Sequence, residues 1–261
     1  MRLLVNGDET FAATGGRDFD PALPAVIFLH GAGLDHSVWA LLARAFAHHG
    51  CGVLAPDLPG HGRSAGAPLS SIAALADWTA ALIGAAGIRA ARLVGHSMGA
   101  LVALETAARH PENVTGLGLI ATAAAVPVAA DLLGAAKAGD HAAIDMVSIW
   151  GNGYRATLGG CEAPGLWMLG GAERLLERAR PGVLFADLAA CNDYPDGLAA
   201  AAKVKVPTTL VLGSRDLMTP LKGGKALAAA IPGARLVVLE GAGHMLMSER
   251  PNEVLAALRS C

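Results

Sequence analysis

The sequence predicts an α/β fold, a mostly parallel sheet with helices on both faces and one helical insertion, and three observations predict it. Short β-branched or Leu-rich runs alternate with longer Ala-rich segments along most of the 261 residues, the pattern of strand and crossover helix. That alternation breaks between about residues 124 and 198 and then resumes. A composition 53% hydrophobic and 16% charged supplies a sizeable core and excludes a disordered chain.

The elements follow in order. "RLLV" and "ETFAAT" flank Asn6-Gly7, a dipeptide that tolerates the left-handed backbone of a tight turn, so an antiparallel hairpin opens the fold. "AVIFLH" is the third strand. A helix over residues 37–49 leads to strand "GVLAPD", a helix from about Ser70 to Ala86 leads to strand "ARLVGH", and the helix after Ser97 leads to strand "VTGLGLIA". The block 124–198 is Ala- and Gly-rich, helical in tendency and without a strand pattern. Strand "PTTLVLG", a helix near 219–230, strand "ARLVVLEG" and a last helix over 249–259 complete an eight-stranded arrangement. Residues 1–123 and 199–261 then form one core, with 124–198 inserted into it.

The chemistry concentrates at "LVGHSMGALVAL", residues 93–104. A strand that turns into a helix within a few residues leaves no room for side chains, so Gly95 and Gly99 are positions of close backbone approach. Ser97 stands at the apex, and the pattern G-x-S-x-G between strand and helix fits a nucleophile elbow. A serine hydroxyl is a weak nucleophile unless a base takes its proton and an acid orients that base. Asp216 in "LGSRDLMTP" and His244 in "LEGAGHMLMSERP" each follow a strand end, on the side of a parallel sheet where ligands bind.

With these residues in place, the sequence resembles the α/β-hydrolase family, through motifs spread over nearly the whole chain outside the middle block. "HGAG" at 30–33 is similar to the family's oxyanion loop, and "DLPGHGRS" at 57–64 to its structural turn. The resemblance implies an α/β-hydrolase fold and an oxyanion hole made by the amides of Ala32 and Met98. Some relatives carry the acid after the strand that follows the nucleophile helix. Here that stretch reads "LIATAAA", which leaves Asp216 as the acid.

Other polar residues have structural readings. His30, His61 and His96 are expected to prop their loops, and Asp57 to tie down the turn that follows it through backbone amides. His36 is equally compatible with a surface position and with contact to substrate. His48, His49 and His110 lie near helix C-termini, where positive charge is favourable; His141 has no reading. The four cysteines are scattered without metal-ligand spacing, and neither a dinucleotide nor a P-loop pattern occurs in the right context, so no metal and no cofactor are implied. The net charge of -2 without basic blocks argues against nucleic acid, and no stretch suits a membrane span. Asp8 and Glu9 interrupt the N-terminus before an apolar run long enough for a secretory signal, so a cytoplasmic protein with reduced thiols is expected.

The insertion leaves the sheet after one strand's carboxyl end and returns before the strand that carries the acid, so it is expected to cover Ser97 as a lid. Trp150 and Trp167 from the lid, with Met218 and Met245 from the Asp216 and His244 loops, are the expected substrate-binding residues. Glycines at 151, 153, 159, 160, 165, 170 and 171 would loosen this region. The expected function is a cofactor-free serine hydrolase, a carboxylesterase acting on a small neutral or apolar substrate, with homo-oligomerisation left open. The alternatives are a carbon-carbon bond hydrolase of ring-cleavage products, with Arg155, Arg174, Arg178, Arg180 and Asn192 as candidate anchors, and a ligand receptor on the same fold.

Overall fold

The apolar runs become strands buried on both faces, as a parallel sheet covered by helices requires. The computed structural model describes residues 1–160 and 162–259. β1 (Arg2–Val5) and β2 (Asp8–Ala13) form the opening antiparallel hairpin, turned by Asn6 and Gly7 at φ 52° and 92°. β3 (Ala25–Leu29) is buried at every position. A 3-10 turn over His36–Trp39, capped by the Asp35 side chain, leads into α1 (Ala40–Ala47) and β4 (Gly52–Pro56), so the predicted 37–49 helix is split in two. Ser71 accepts a hydrogen bond from the Ala74 amide to start α2 (Ile72–Ala85), which feeds β5 (Ala91–His96), α3 (Met98–Arg109) and β6 (Val114–Ile120).

The insertion follows β6 as α4 (Ala130–Ala138), α5 (Ala142–Trp150), α6 (Tyr154–Thr157), α7 (Met168–Glu177) and α8 (Val183–Asn192). Leu132, Ala136, Ala143 and Leu188 form its small apolar centre. α9 (Gly197–Lys203) returns to the main body and packs on α3, ahead of β7 (Thr208–Gly213) and α10 (Leu221–Ala230). The two stems of the insertion touch where Gly197 passes the Ala124 carbonyl so closely that a Cβ would overlap it. β8 (Arg235–Leu239), α11 (Leu246–Glu249) and α12 (Pro251–Arg259) end the described chain.

Among the described residues the eight strands form one sheet in the order β1-β2-β4-β3-β5-β6-β7-β8, with β1 and β2 antiparallel to their neighbours and the rest parallel. α1 and α12 pack on one face around Phe28, Trp39, Phe46 and Leu258, while α2, α3, α9 and α10 cover the other around Leu75, Leu93, Leu101 and Leu227. The chain steps from β3 outward to β4 and then back across β3 to β5, so the loops after β3 and β5 diverge and leave a crevice at the sheet's carboxyl end. None of the helices among the described residues is long and apolar enough to cross a membrane.

Candidate active site

Ser97 occupies the single residue between β5 and α3 and adopts φ 51° and ψ -115°, a left-handed backbone that a non-glycine residue rarely takes. The turn is this tight because two glycines remove their side chains from it. A Cβ on Gly95 would overlap the Gly99 carbonyl, and one on Gly99 would overlap the Leu29 carbonyl at the end of β3. The Ser97 amide donates to Ile120 O at 2.9 Å, which fixes the apex against β6. Met98, fully buried, is the first residue of α3, whose leading amides point out of the helix without helical acceptors.

Asp216 and His244 meet from neighbouring loops. His244 Nδ1 donates to Asp216 Oδ2 at 2.8 Å, and both side chains are almost fully buried. Thr219, unnoticed in the sequence, donates its hydroxyl to the same oxygen at 2.7 Å, while the amides of Met218 and Thr219 donate to Oδ1 at 2.8 Å each. Burial pushes the Asp216 carboxyl up, but the His244 imidazole and these donors outweigh it and hold the group below the usual carboxylate range. Thr219 follows the aspartate by three residues, the spacing at which a carboxylate caps a turn, and that was the available signal.

A second buried carboxylate, Glu249, holds the histidine loop. It accepts hydrogen bonds from Gly243 N at 3.0 Å and from Gly153 N, in the insertion, at 3.2 Å. The amides of His244 and Met245 also donate to Gly151 O, at 3.1 and 2.9 Å. Gly151 and Gly153 therefore do not loosen the insertion as the sequence reading supposed. They permit close contact, since a Cβ on Gly153 would stand 2.6 Å from Glu249 Oε2 and 2.9 Å from Gly243 N.

A cavity of about 140 Å³ opens at this point, lined by Ser97, His244, Ala32, Trp150, Met218 and Met245 among others. Trp167 is not part of its wall. The indole lies against Gly170 one turn along α7 and is 71% exposed, beside a separate depression that it shares with Val38 and Ser248. The described residues lining the cavity include no Lys, Arg, Asp or Glu. The arginines considered for an acidic substrate are engaged elsewhere: Arg174 with Glu177, Arg178 with Asp35 at 3.0 Å and Arg180 with Ser64 O at 2.7 Å. Asn192 accepts from Val128 N at 3.1 Å. Arg155 stands outside the cavity wall.

His30, His96, His61 and His36 hold loops. His30 Nδ1 donates to Gly31 O and its Nε2 accepts from Leu58 N, so the ring is neutral; burial, helped by His61, lowers its pKa to about 4. Burial and the neighbouring His244 lower that of His96 to about 3, and its Nε2 donates to His244 O at 3.1 Å. His61 differs. Both of its nitrogens face acceptors, Nδ1 the Pro59 carbonyl at 3.0 Å and Nε2 the Asp187 carboxylate at 2.7 Å, so only the imidazolium donates both bonds. Burial pushes its pKa down, but Asp187, the carbonyl and Asp57 together raise it above the ordinary value. Asp57 itself accepts from the amides of His36 and Arg63 at 2.8 Å each and from His36 Nδ1 at 2.7 Å, which accounts for both residues as loop ties. His141 bonds Glu177 and Asp145 on the surface of the insertion. Among the described residues two groups of ligand-type side chains, Asp35/His36/Asp57 and His141/Glu173/Glu177, lie close enough to surround an ion; all but Glu173 are engaged in the bonds already named, and Glu173 pairs with Arg174 at 3.2 Å.

A strained serine at the head of α3, a bonded His-Asp pair from the loops after β7 and β8 and a crevice beneath inserted helices define a hydrolase class. The chain belongs to the α/β-hydrolase family, whose model matches residues 26–258 under the description "Alpha/beta hydrolase family". It is 33% identical over 246 residues to a pimeloyl-[acyl-carrier protein] methyl ester esterase from Chromobacterium violaceum, covering 90% of this chain and 92% of that protein. A protein of the same name from Aromatoleum aromaticum is 32% identical over 250 residues, covering 88% and 94%. Among solved structures, the enol-lactonase from Burkholderia xenovorans superposes with a TM-score of 0.86 at 26% identity, covering 100% of this chain and 98% of that one.

Two outcomes are expected. Gly99→Ala forces a Cβ into the Leu29 carbonyl and cannot be relieved by a side-chain rotation, so it lowers Tm sharply or prevents folding, while Gly84→Ala, with open space around it, does neither; thermal denaturation of the two checks this. The His61–Asp187 pair depends on pH. Because the folded pKa of His61 is raised, its stabilisation is complete below the ordinary histidine value and is lost as pH climbs past the raised one. The charged or titratable groups facing it are Asp187, Asp57 and His30. The Tm gap between wild type and His61→Gln should therefore be wider at about pH 6 than at about pH 9; an unchanged gap means a neutral ring.

Proposed function

We propose that this chain is a cofactor-free serine esterase, a carboxylesterase that cleaves small to medium uncharged acyl esters through an acyl-serine intermediate. One observation carries the reading: the bonded His244–Asp216 pair and the strained Ser97 open into the same cavity. His244 Nε2 takes the proton of Ser97 Oγ as that oxygen attacks the ester carbonyl carbon, and Asp216 holds the ring in the required tautomer and stabilises the imidazolium. The amides of Ala32 and Met98 stabilise the tetrahedral oxyanion, a contribution of about 3 to 4 kcal/mol per donor in such sites. Collapse expels the alcohol, which receives the proton from His244. Water then attacks the acyl-serine with His244 again as base, and the acid leaves.

The cavity wall supports the substrate class. Desolvating a carboxylate among Val126, Leu132, Trp150, Leu184 and Met218 without a cationic partner is costly, which disfavours the dicarboxylate-like substrates of the ring-cleavage alternative. The ester named for the curated relatives, a pimeloyl chain with both carboxyl groups masked, meets the same requirement. A cytoplasmic location belongs to the same proposal, supported by the free thiols of Cys51 and Cys191.

Ser97→Ala is expected to abolish turnover of p-nitrophenyl butyrate with unchanged circular dichroism, and Asp216→Asn to lower kcat by roughly 10⁴-fold. Residual turnover of the alanine variant near the wild-type rate removes the nucleophile assignment. Trp150→Ala should change the chain-length profile of kcat/KM by about 1 to 3 kcal/mol across the series, whereas Trp167→Ala, outside the cavity wall, leaves the profile in place. An equal shift in both variants would relocate the acyl pocket.

A further inference from the structure

Asp187 is an acid in the middle of α8, among Val183, Leu184, Leu188 and Ala190, and is 1% exposed. A carboxylate buried there is tolerated only with strong partners. Its partners come from elsewhere in the chain. Oδ2 accepts from Gly33 N at 2.8 Å and from His61 Nε2 at 2.7 Å, so one oxygen of the insertion binds both the 30–33 loop and the turn after β4.

Gly33 immediately follows Ala32. It has a φ of 68°, and a Cβ there would meet Leu184 Cδ1 at 2.9 Å and Leu176 Cδ2 at 3.0 Å, so glycine lets the insertion pack close against the loop. The loop is held at its start by His30, which bonds Gly31 and Leu58. Asp187 holds the far end. Gly31 O, which His30 holds, shares a peptide plane with the Ala32 amide, and Gly33 N lies in the next plane; with both planes held, the two backbone dihedrals of Ala32 between them are restrained, and with them the aim of its amide. A charged acceptor, itself held by an imidazolium, resists rotation of that second plane better than a neutral one.

We propose that Asp187 is a positioning residue of the oxyanion loop, supplied by the inserted helices, an inference that rests on the serine-esterase reading above. The hydrolase core provides the amides and the insertion sets their aim. His61 is the intermediate that holds the Asp187 carboxylate in this orientation.

The test compares Asp187→Ala, Asp187→Asn and Val183→Ala, the last a buried residue of the same helix with no bond to the loop. Two rates are measured on the full chain, each well below the variant's Tm: the rate constant for labelling Ser97 with a fluorophosphonate, and kcat and KM for p-nitrophenyl acetate per labelled site. Misplacement of a catalytic group by about 1 Å can cost on the order of 100-fold. Asp187→Ala is expected to lose up to that factor in both the labelling rate and kcat, with KM little changed. Asp187→Asn, which keeps an oxygen for Gly33 N, should recover part of the loss, and Val183→Ala should lower Tm with wild-type rates per site. Wild-type rates per site in Asp187→Ala, or equal losses in Val183→Ala, overturn the proposal while leaving the serine reading intact. If Asp187→Ala does not fold, Asp187→Leu, which fills the same space without an acceptor for Gly33 N, decides, and wild-type rates per site in that variant overturn the proposal. A wild-type protein that neither labels nor turns over ester overturns the serine reading, and this inference with it.

Discussion

The site depends on one steric constraint, the passage of the β5–α3 turn against neighbouring backbone at distances that exclude side chains. Gly95 lies under the Gly99 carbonyl and Gly99 under that of Leu29, so α3 begins pressed onto the ends of both β5 and β3. Ser97 is left in a conformation that costs about 1 to 3 kcal/mol and persists because the sheet on either side is already fixed. The same close approach brings the loop after β3 beside the first amides of α3. The switch of chain direction between β3 and β5 opens the crevice, and the close approach brings Ser97 and Ala32 together on its wall.

Around that floor the fold solves an electrostatic problem with imidazoles. Three buried histidines tie loops, and the partner of each decides its charge. His30 faces one carbonyl and one amide and is neutral; His96 donates a single bond and is neutral; His61 lies between a carbonyl and a carboxylate and is charged. His244 alone of the four has a bonded carboxylate at one nitrogen and also borders the cavity that holds Ser97. Low dielectric strengthens each of these distinctions, because a proton in the wrong place has no water to share it.

The core was legible because its signals are local. Asn6-Gly7, the apolar run at Ala25–Leu29 and the glycine spacing around Ser97 each dictate a backbone shape within a few residues. That Asp216 and His244 meet was legible because both follow strand ends in a regular alternation. What escaped was held across long separations. Asp187 reaches Gly33 across 154 positions and Glu249 reaches Gly153 across 96, and neither spacing leaves a local pattern. The insertion misled for the same reason: a glycine needed for close packing and a glycine free in a loop read alike in the sequence. Gly153 is of the first kind and Gly165, with open space around it, of the second. Trp167 illustrates the converse, since an indole covering Gly170 of its own helix carries the same letter as one in a cavity wall.

The stems of the insertion meet at Ala124 and Gly197, so by geometry the whole segment could be lifted out and replaced like a cassette. Its interior bonds say otherwise. Gly151 and Gly153 are joined to the histidine loop and Glu249, and Asp187 to Gly33 and His61, so a replacement segment must supply an acid where Asp187 stands and an amide as close to Glu249 as that of Gly153. In this chain a segment joined at the stems without those groups would leave the His61 ring and the Glu249 carboxylate without these partners in the core.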